Sequence, residues 1–265
     1  MKRSALLLSA LIGVFVAGCG GGEDVFGPAE PPAEGYLLRL NVGEDSSVQY
    51  TMTMSMRVQR LIEIPPAEEE TEGEESEAQG PEFVETVITL TMDYDLSVTG
   101  IEDGKITWET VVSDSTVVMD PPEPDGPDLT GEKVTTVTDE RGSEISKTGG
   151  DQFSGMIAPG TGTPGVSGIV FPEEKVKVGD TWEQEYTLGF MLLKVRYTLK
   201  GVEKVGEVNA VLITAEIVEN PSVTIEEPMR ILIHPVTGEV LLSEGKVTMT
   251  TSAFIVNLES KLEKK

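Results

Sequence analysis

The chain has 265 residues, 46 Asp and Glu against 20 Lys and Arg, and a formal net charge of −26. Phosphate backbones need a basic face, so this balance excludes a nucleic-acid binder. A single Cys and a single His exclude a disulfide scaffold and a cysteine-based zinc site and leave little for hydrolase or metalloenzyme chemistry, while 38% hydrophobic residues are enough to bury a core.

Lys2 and Arg3 open the chain and precede an apolar run from Ala5 to Ala17, interrupted only by Ser9 and Gly13. A basic start, a short apolar core and small residues at its end read as an export signal. The run is too short for a bilayer span, which takes about 20 apolar residues. It ends in Val16-Ala17-Gly18-Cys19, which resembles a bacterial lipobox. The resemblance implies cleavage after Gly18, diacylglyceryl transfer to the Cys19 sulfur and acylation of the new amine. An ordinary secretory signal with a chance Cys is the alternative. Two or three acyl chains on Cys19 anchor stably where one does not. The expectation is therefore a signal peptide over 1–18 and a lipoprotein held at the membrane by Cys19. Gly20, in place of the Asp that favours inner-membrane retention, implies the outer membrane, periplasmic or surface side, where the envelope has two membranes.

Residues 20–35 are rich in Gly, Pro and acids and read as a solvated tether, so 19–35 is the lipidated Cys plus linker. Period-two patterning then begins. In 46–64, Met52, Met54, Met56, Val58, Ile62 and Ile64 alternate with Thr51, Thr53, Ser55 and Arg57. In 83–100, Val84, Ile88, Leu90, Met92, Tyr94, Leu96 and Val98 alternate with polar residues that include Asp93 and Asp95. Such alternation predicts long strands with one apolar face. Further strands are predicted over 105–119, 132–138, 181–200, 208–219, 222–234 and 239–257. The apolar phase of 181–200 shifts between Leu188 and Val195, which reads as a bulge or bend. Only 149–157 reads as helical.

Between the strands, Glu102-Asp103-Gly104-Lys105 and Val236-Thr237-Gly238-Glu239 read as hairpin turns. Residues 65–82 hold seven Glu in the ten positions 68–77, a run that repels itself and stays solvated. With 120–131, a Pro-rich acidic loop, it lacks the fixed spacing of a Ca²⁺ site, so no metal is assigned. Val42-Gly43-Glu44 with Tyr50-Thr51-Met52 is echoed by Val178-Gly179-Asp180 with Tyr186-Thr187-Leu188. Val98-Thr99-Gly100-Ile101-Glu102 is echoed by Leu199-Lys200-Gly201-Val202-Glu203. The echo reads either as two pseudo-repeated meanders or as chance recurrence of turn residues. The fold expected is all-β with minor α: a long-stranded antiparallel curved sheet or open barrel. It forms a single domain over 36–258, carrying the acidic loop 65–82 and followed by a charged tail, 259–265.

Catalytic constellations are sparse. His234 sits at a strand end and reads as a hairpin-turn residue. Ser154-Gly155 lacks a nucleophile elbow, and no phosphate loop or dinucleotide fingerprint is present. Asp93 and Asp95 read as solvent-facing, and Trp108 and Trp182 as plugs at the sheet ends. No catalytic residue, cofactor or metal ligand is assigned, and the protein is expected not to be an enzyme. The remaining feature is the methionine stripe. Met52, Met54, Met56, Leu90, Met92 and Tyr94 read either as ordinary core or as the lining of an apolar ligand site, which flexible, polarizable Met suits.

The lipobox, the polar tether and the long strands across about 36–258 are similar to uncharacterised β-rich bacterial lipoproteins. At fold level they are similar to half-barrel carriers of the LolA/LppX type, with the loose Val-Gly-Asp-Thr-Trp turn at 178–182. That resemblance implies a concave apolar face that shields acyl chains. The main functional expectation is a membrane-anchored, non-catalytic envelope module, structural or protein-binding, whose partners would be the membrane and envelope proteins. The alternative is a binding or carrier protein for an apolar, lipid-like ligand, and a hydrolase is the remote one.

Overall fold

The computed structural model describes residues 27–62, 82–122, 128–150, 168–188, 191–219, 222–224, 227–250 and 254–265. The expected signal peptide with Cys19, nearly all of the acidic stretch 65–82 and the segment 151–157 of the expected helix lie outside them. Twelve strands follow in chain order: β1 (Ser47–Ile62), β2 (Glu82–Glu102), β3 (Lys105–Asp120), β4 (Lys133–Asp139), β5 (Glu144–Gly149), β6 (Thr181–Leu188), β7 (Met191–Val205), β8 (Val208–Glu219), β9 (Val223–Thr224), β10 (Met229–Ile233), β11 (Val240–Thr250) and β12 (Phe254–Lys264). No helix occurs among the described residues.

The strands form one antiparallel sheet in the order β5-β4-β3-β2-β1-β12-β11-β10-β8-β7-β6, with β9 attached to β11. The sheet is curved, and because β5 and β6 stay unpaired with each other it is not closed into a barrel. The order reads as two meanders in tandem. β1 to β5 form the first and β6 to β11 the second, with β12 as the strand that joins them by pairing with both β1 and β11.

The structure redraws three expected strands. The phase shift inside 181–200 is a hairpin rather than a bulge, because β6 and β7 pair antiparallel up to Leu188 opposite Met191. Run 222–234 divides into β9 and β10, and 239–257 into β11 and β12. β12 continues through Lys264, so the stretch expected as a charged tail is a strand at the seam of the sheet. Its charged side chains are compatible with this because alternate positions, Val256, Leu258 and Leu262, are buried. β5, which is almost wholly exposed, carries no apolar alternation that would announce it.

Both expected hairpin turns are present. Asp103 and Gly104 both have positive φ, 50° and 73°, as the primed turn between right-twisted strands requires. In the β10–β11 connection, Gly238 has φ 71° and lies against the backbone carbonyl of Arg39, a place with no room for a Cβ.

One face of the sheet holds the core, which includes Tyr50, Leu90, Tyr94, Leu96, Trp108, Tyr197 and Ile213. Two non-strand segments cross this inner face and are buried with it. One carries Tyr36, Leu38 and Leu40, and the other carries Ile169, Phe171 and Val176. They bond each other through Tyr36 and Val176, and bond the turns at Glu140, Arg141 and Thr237. They thereby close the end of the trough where β1, β3, β6, β8 and β11 begin. The outer face carries the charge, with one small apolar cluster at Ala210, Leu232 and Leu241.

Candidate ligand-binding face

β1 pairs with β2 over its whole length, and the register sets Tyr50 opposite Tyr94, Met52 opposite Met92, Met54 opposite Leu90 and Met56 opposite Ile88. All six candidate lining residues therefore come together on the inner face, as period-two geometry on two paired strands requires. Five of them, Met52, Met54, Leu90, Met92 and Tyr94, are buried, and Met56 is half-buried. Met119, Met229 and Met249 join this face from β3, β10 and β11, so it takes seven of the ten methionines of the chain.

Toward the closed end, Tyr50 and Tyr94 stack with ring centroids 5.5 Å apart. The Tyr50 hydroxyl donates to the Val240 carbonyl at 3.0 Å. Burial pushes both phenols well above the ordinary tyrosine range, with smaller contributions from the Glu239 charge on Tyr50 and from Tyr50 on Tyr94. The Tyr94 hydroxyl is buried without a hydrogen-bond partner. In the second meander Trp182 stacks on Tyr197, and the Tyr186 and Tyr197 hydroxyls are hydrogen-bonded to each other. These rings fill the trough.

Toward the opposite end the filling stops. Rows across the sheet can be followed outward along β1. Met52 is 5% exposed and Met54 6%. The next row, Leu258–Met56–Ile88–Met119, is half-buried apart from Leu258. Beyond it lie Val256, Val58 and Thr86, and then Phe254, Arg60 and Val84. In this outermost row Val84 is 46% exposed and Phe254 38%. Among the described residues no segment crosses here as residues 36–40 and 169–176 do at the other end, and although Val256 is buried, apolar side chains stand exposed at the lip, at Val84 and Phe254.

The remaining candidates lie elsewhere. Cys19 and Ser154 are outside the described residues. The His234 Nδ1 accepts the backbone N–H groups of Val236 and Thr237 at 3.3 and 3.2 Å, and its backbone bonds Gly238 and Glu239. It is built into the β10–β11 turn. Asp93 and Asp95 are on the outer face. Asp93 is bound by Lys265 and Thr51, which hold its carboxyl below the usual range, Lys265 contributing most. Asp95 accepts from Gln49. Trp108 is buried and donates to Thr138, while Trp182 is half-buried.

Sequence reasoning missed the plugging segments, because isolated apolar residues among Gly, Pro and acids carry no period. It also missed Met119, Met249, Phe254 and Arg60. For Arg60 a signal existed: it continues the even-numbered phase of Met52 to Val58.

No family model matches the chain, and no curated protein matches it. Solved structures do resemble it. A lipovitellin structure described for its lipid–protein interactions has a TM-score of 0.43 and 10% identity over 84% of this chain, which spans 25% of the lipovitellin chain. A LolA superfamily protein from Nitrosomonas europaea gives a TM-score of 0.19 and 9% identity over 84% of this chain and 88% of its own. A DUF1329 family protein from Desulfovibrio piger gives 0.17 and 8% over 83% and 86%. With identities of 8–10% and TM-scores of 0.17–0.43, none of them assigns this chain a fold family or a function.

Proposed function

We propose that the protein is a non-catalytic, lipid-anchored envelope protein that binds an apolar, lipid-like ligand in the open half of its trough. The observation that carries this reading is the gradient of burial along the inner face, from closed and ring-filled at Tyr50 and Tyr94 to exposed at Val84 and Phe254. A sheet filled wholly by its own side chains would bury both ends alike. Exposed, contiguous apolar surface marks a binding site, and methionines adapt it to irregular chains. Anchoring through Cys19 rests on the lipobox resemblance and the polar linker, with the trough as the binding part of an exported lipoprotein. Between the two functional expectations drawn from the sequence, the geometry favours the apolar-ligand protein over the structural module.

The test is native mass spectrometry of the purified protein, solvent extraction of what accompanies it, and titration with the apolar fluorophore N-phenyl-1-naphthylamine. A near-stoichiometric lipid, or saturable probe binding that such a lipid displaces, is the expected result. A bare mass with no probe binding refutes the reading. Tryptic mass mapping for an acylated peptide beginning at Cys19 tests the anchor separately.

A further inference from the structure

Arg60 continues the inner-face phase of β1, one row beyond Val58 and between Val84 on β2 and Phe254 on β12. Among the described residues every other arginine faces a glutamate: Arg39 with Glu140, Arg57 with Glu85, Arg141 with Glu173, Arg196 with Glu183, and Arg230 with Glu203 and Glu244. Arg60 is exposed and, among the described residues, has no such pair. In a chain with 46 acidic and 20 basic residues, random pairing would satisfy an exposed arginine readily. This one instead stands at the lip of an apolar trough, flanked on both sides by apolar side chains.

Resting on the apolar-ligand reading above, we infer that Arg60 receives the phosphate of a two-chain anionic phospholipid whose acyl chains lie along Met56, Ile88 and Met119. A planar guanidinium offers a fork of donors that matches a phosphate through two parallel bonds. At the lip the pair remains wet, so neither charge suffers the desolvation of a buried ion pair. The row Leu258–Met56–Ile88–Met119 spans four strands, about 14 Å at the usual strand spacing. That is room for two extended chains side by side, which selects a diacyl lipid over a fatty acid. The outer face of the same strands carries Glu85, Asp93, Asp95 and Glu259, which repel an anionic headgroup and leave Arg60 as its landing point.

The experiment titrates the purified protein with acyl-labelled fluorescent phosphatidylglycerol, diacylglycerol and palmitate carrying the same fluorophore. The variants are Arg60→Gln, Arg60→Lys and, as an outer-face control on the same strand, Arg57→Gln. Arg60→Gln is expected to weaken phosphatidylglycerol about tenfold, as for loss of a charge-assisted hydrogen bond, and to leave diacylglycerol unchanged. Arg60→Lys should recover part of the loss, and Arg57→Gln should show none. If wild type binds diacylglycerol but Arg60→Gln binds phosphatidylglycerol as well or better, the headgroup assignment is overturned and the trough survives. Tighter, Arg60-dependent binding of palmitate overturns the two-chain assignment. If no labelled lipid binds wild type, the apolar-ligand reading itself fails.

Discussion

Gly100 on β2 and Gly201 on β7 occupy the same place in two hairpins 101 residues apart. Opposite β3 the register slips between Val98 and Gly100, and opposite β8 it slips between Leu199 and Gly201. A second slip in each hairpin lies between Asp93 and Tyr94 and between Lys194 and Val195, with the same offset. Turn residues recur by chance, but two bulges at matched spacing in two hairpins do not follow from turn chemistry. The echo seen in the sequence is thus a repeat of local structure. Its turns are less alike: Gly43 stands four residues before β1, and Gly179 stands two before β6.

The two bulge glycines differ in backbone. Gly201 has φ +147°, and its Cβ position is empty of neighbours. Gly201→Ala should therefore destabilise through backbone strain alone, by about 1–3 kcal/mol. Gly100 has no such φ and also has open space, so Gly100→Ala should change stability by less than about 1 kcal/mol. Urea unfolding of both variants checks this, and equal losses would contradict it.

Gly238 combines both constraints. A side chain there meets the Arg39 carbonyl at φ 71°, so Gly238→Ala should cost about 2–3 kcal/mol. Because Arg39 belongs to the crossing segment, the loss should appear first as faster hydrogen exchange at the Leu40 and Asn41 amides, which donate to Glu140 and Thr237. Protection unchanged at those amides would argue that the turn and the plug are independent.

Methionines on one stripe should behave differently according to their row. Met54→Ala removes buried volume and should cost about 2–4 kcal/mol, whereas Met56→Ala should cost less than about 1.5 kcal/mol. Met56→Glu should leave the melting temperature near wild type and weaken apolar probe binding about tenfold, since a carboxylate in the trough must stay hydrated. Unchanged probe binding would move the ligand site away from the open end.

Asp93 supplies a pH signature. Its carboxyl is held below the ordinary value by Lys265 and then Thr51. A depressed carboxylate contributes stability that is present above its unfolded pKa and is lost as pH falls through the folded one. Asp93→Asn should thus be slightly less stable than wild type at neutral pH, with the difference shrinking as pH falls below the ordinary carboxylate range and lost as it falls through the lower folded value. A difference that grows as pH falls would exclude the assignment. Glu183, lowered by Lys194 and then Arg196, should behave in the same direction.

Much of the sheet was legible because its information is local. β1, β2, β3, β4 and β8 follow from alternation, and the Asp103-Gly104 turn from its residues. The candidate face was legible for the same reason: alternation states which side chains share a side of a strand. Elements lacking that signal were hidden. β5 has no apolar phase, and the β6–β7 hairpin falls inside run 181–200, which reads as one strand with a bulge or bend. The last part of β12, from Glu259, carries charges on its exposed positions and so resembled a tail.

By itself, the sequence determined the class of protein: acidic, all-β and long-stranded, with a methionine-rich apolar face. These properties depend on composition and on short-range period, which each segment carries alone. Tertiary structure decided the rest. It placed β12 between β1 and β11, folded residues 36–40 and 169–176 across one end of the trough, and left Val84 and Phe254 exposed at the other. Those outcomes depend on which distant segments compete to cover the same apolar surface. The burial gained by Leu38, Leu40 and Phe171 outweighs the entropy of ordering their loops, and no single segment reports that balance.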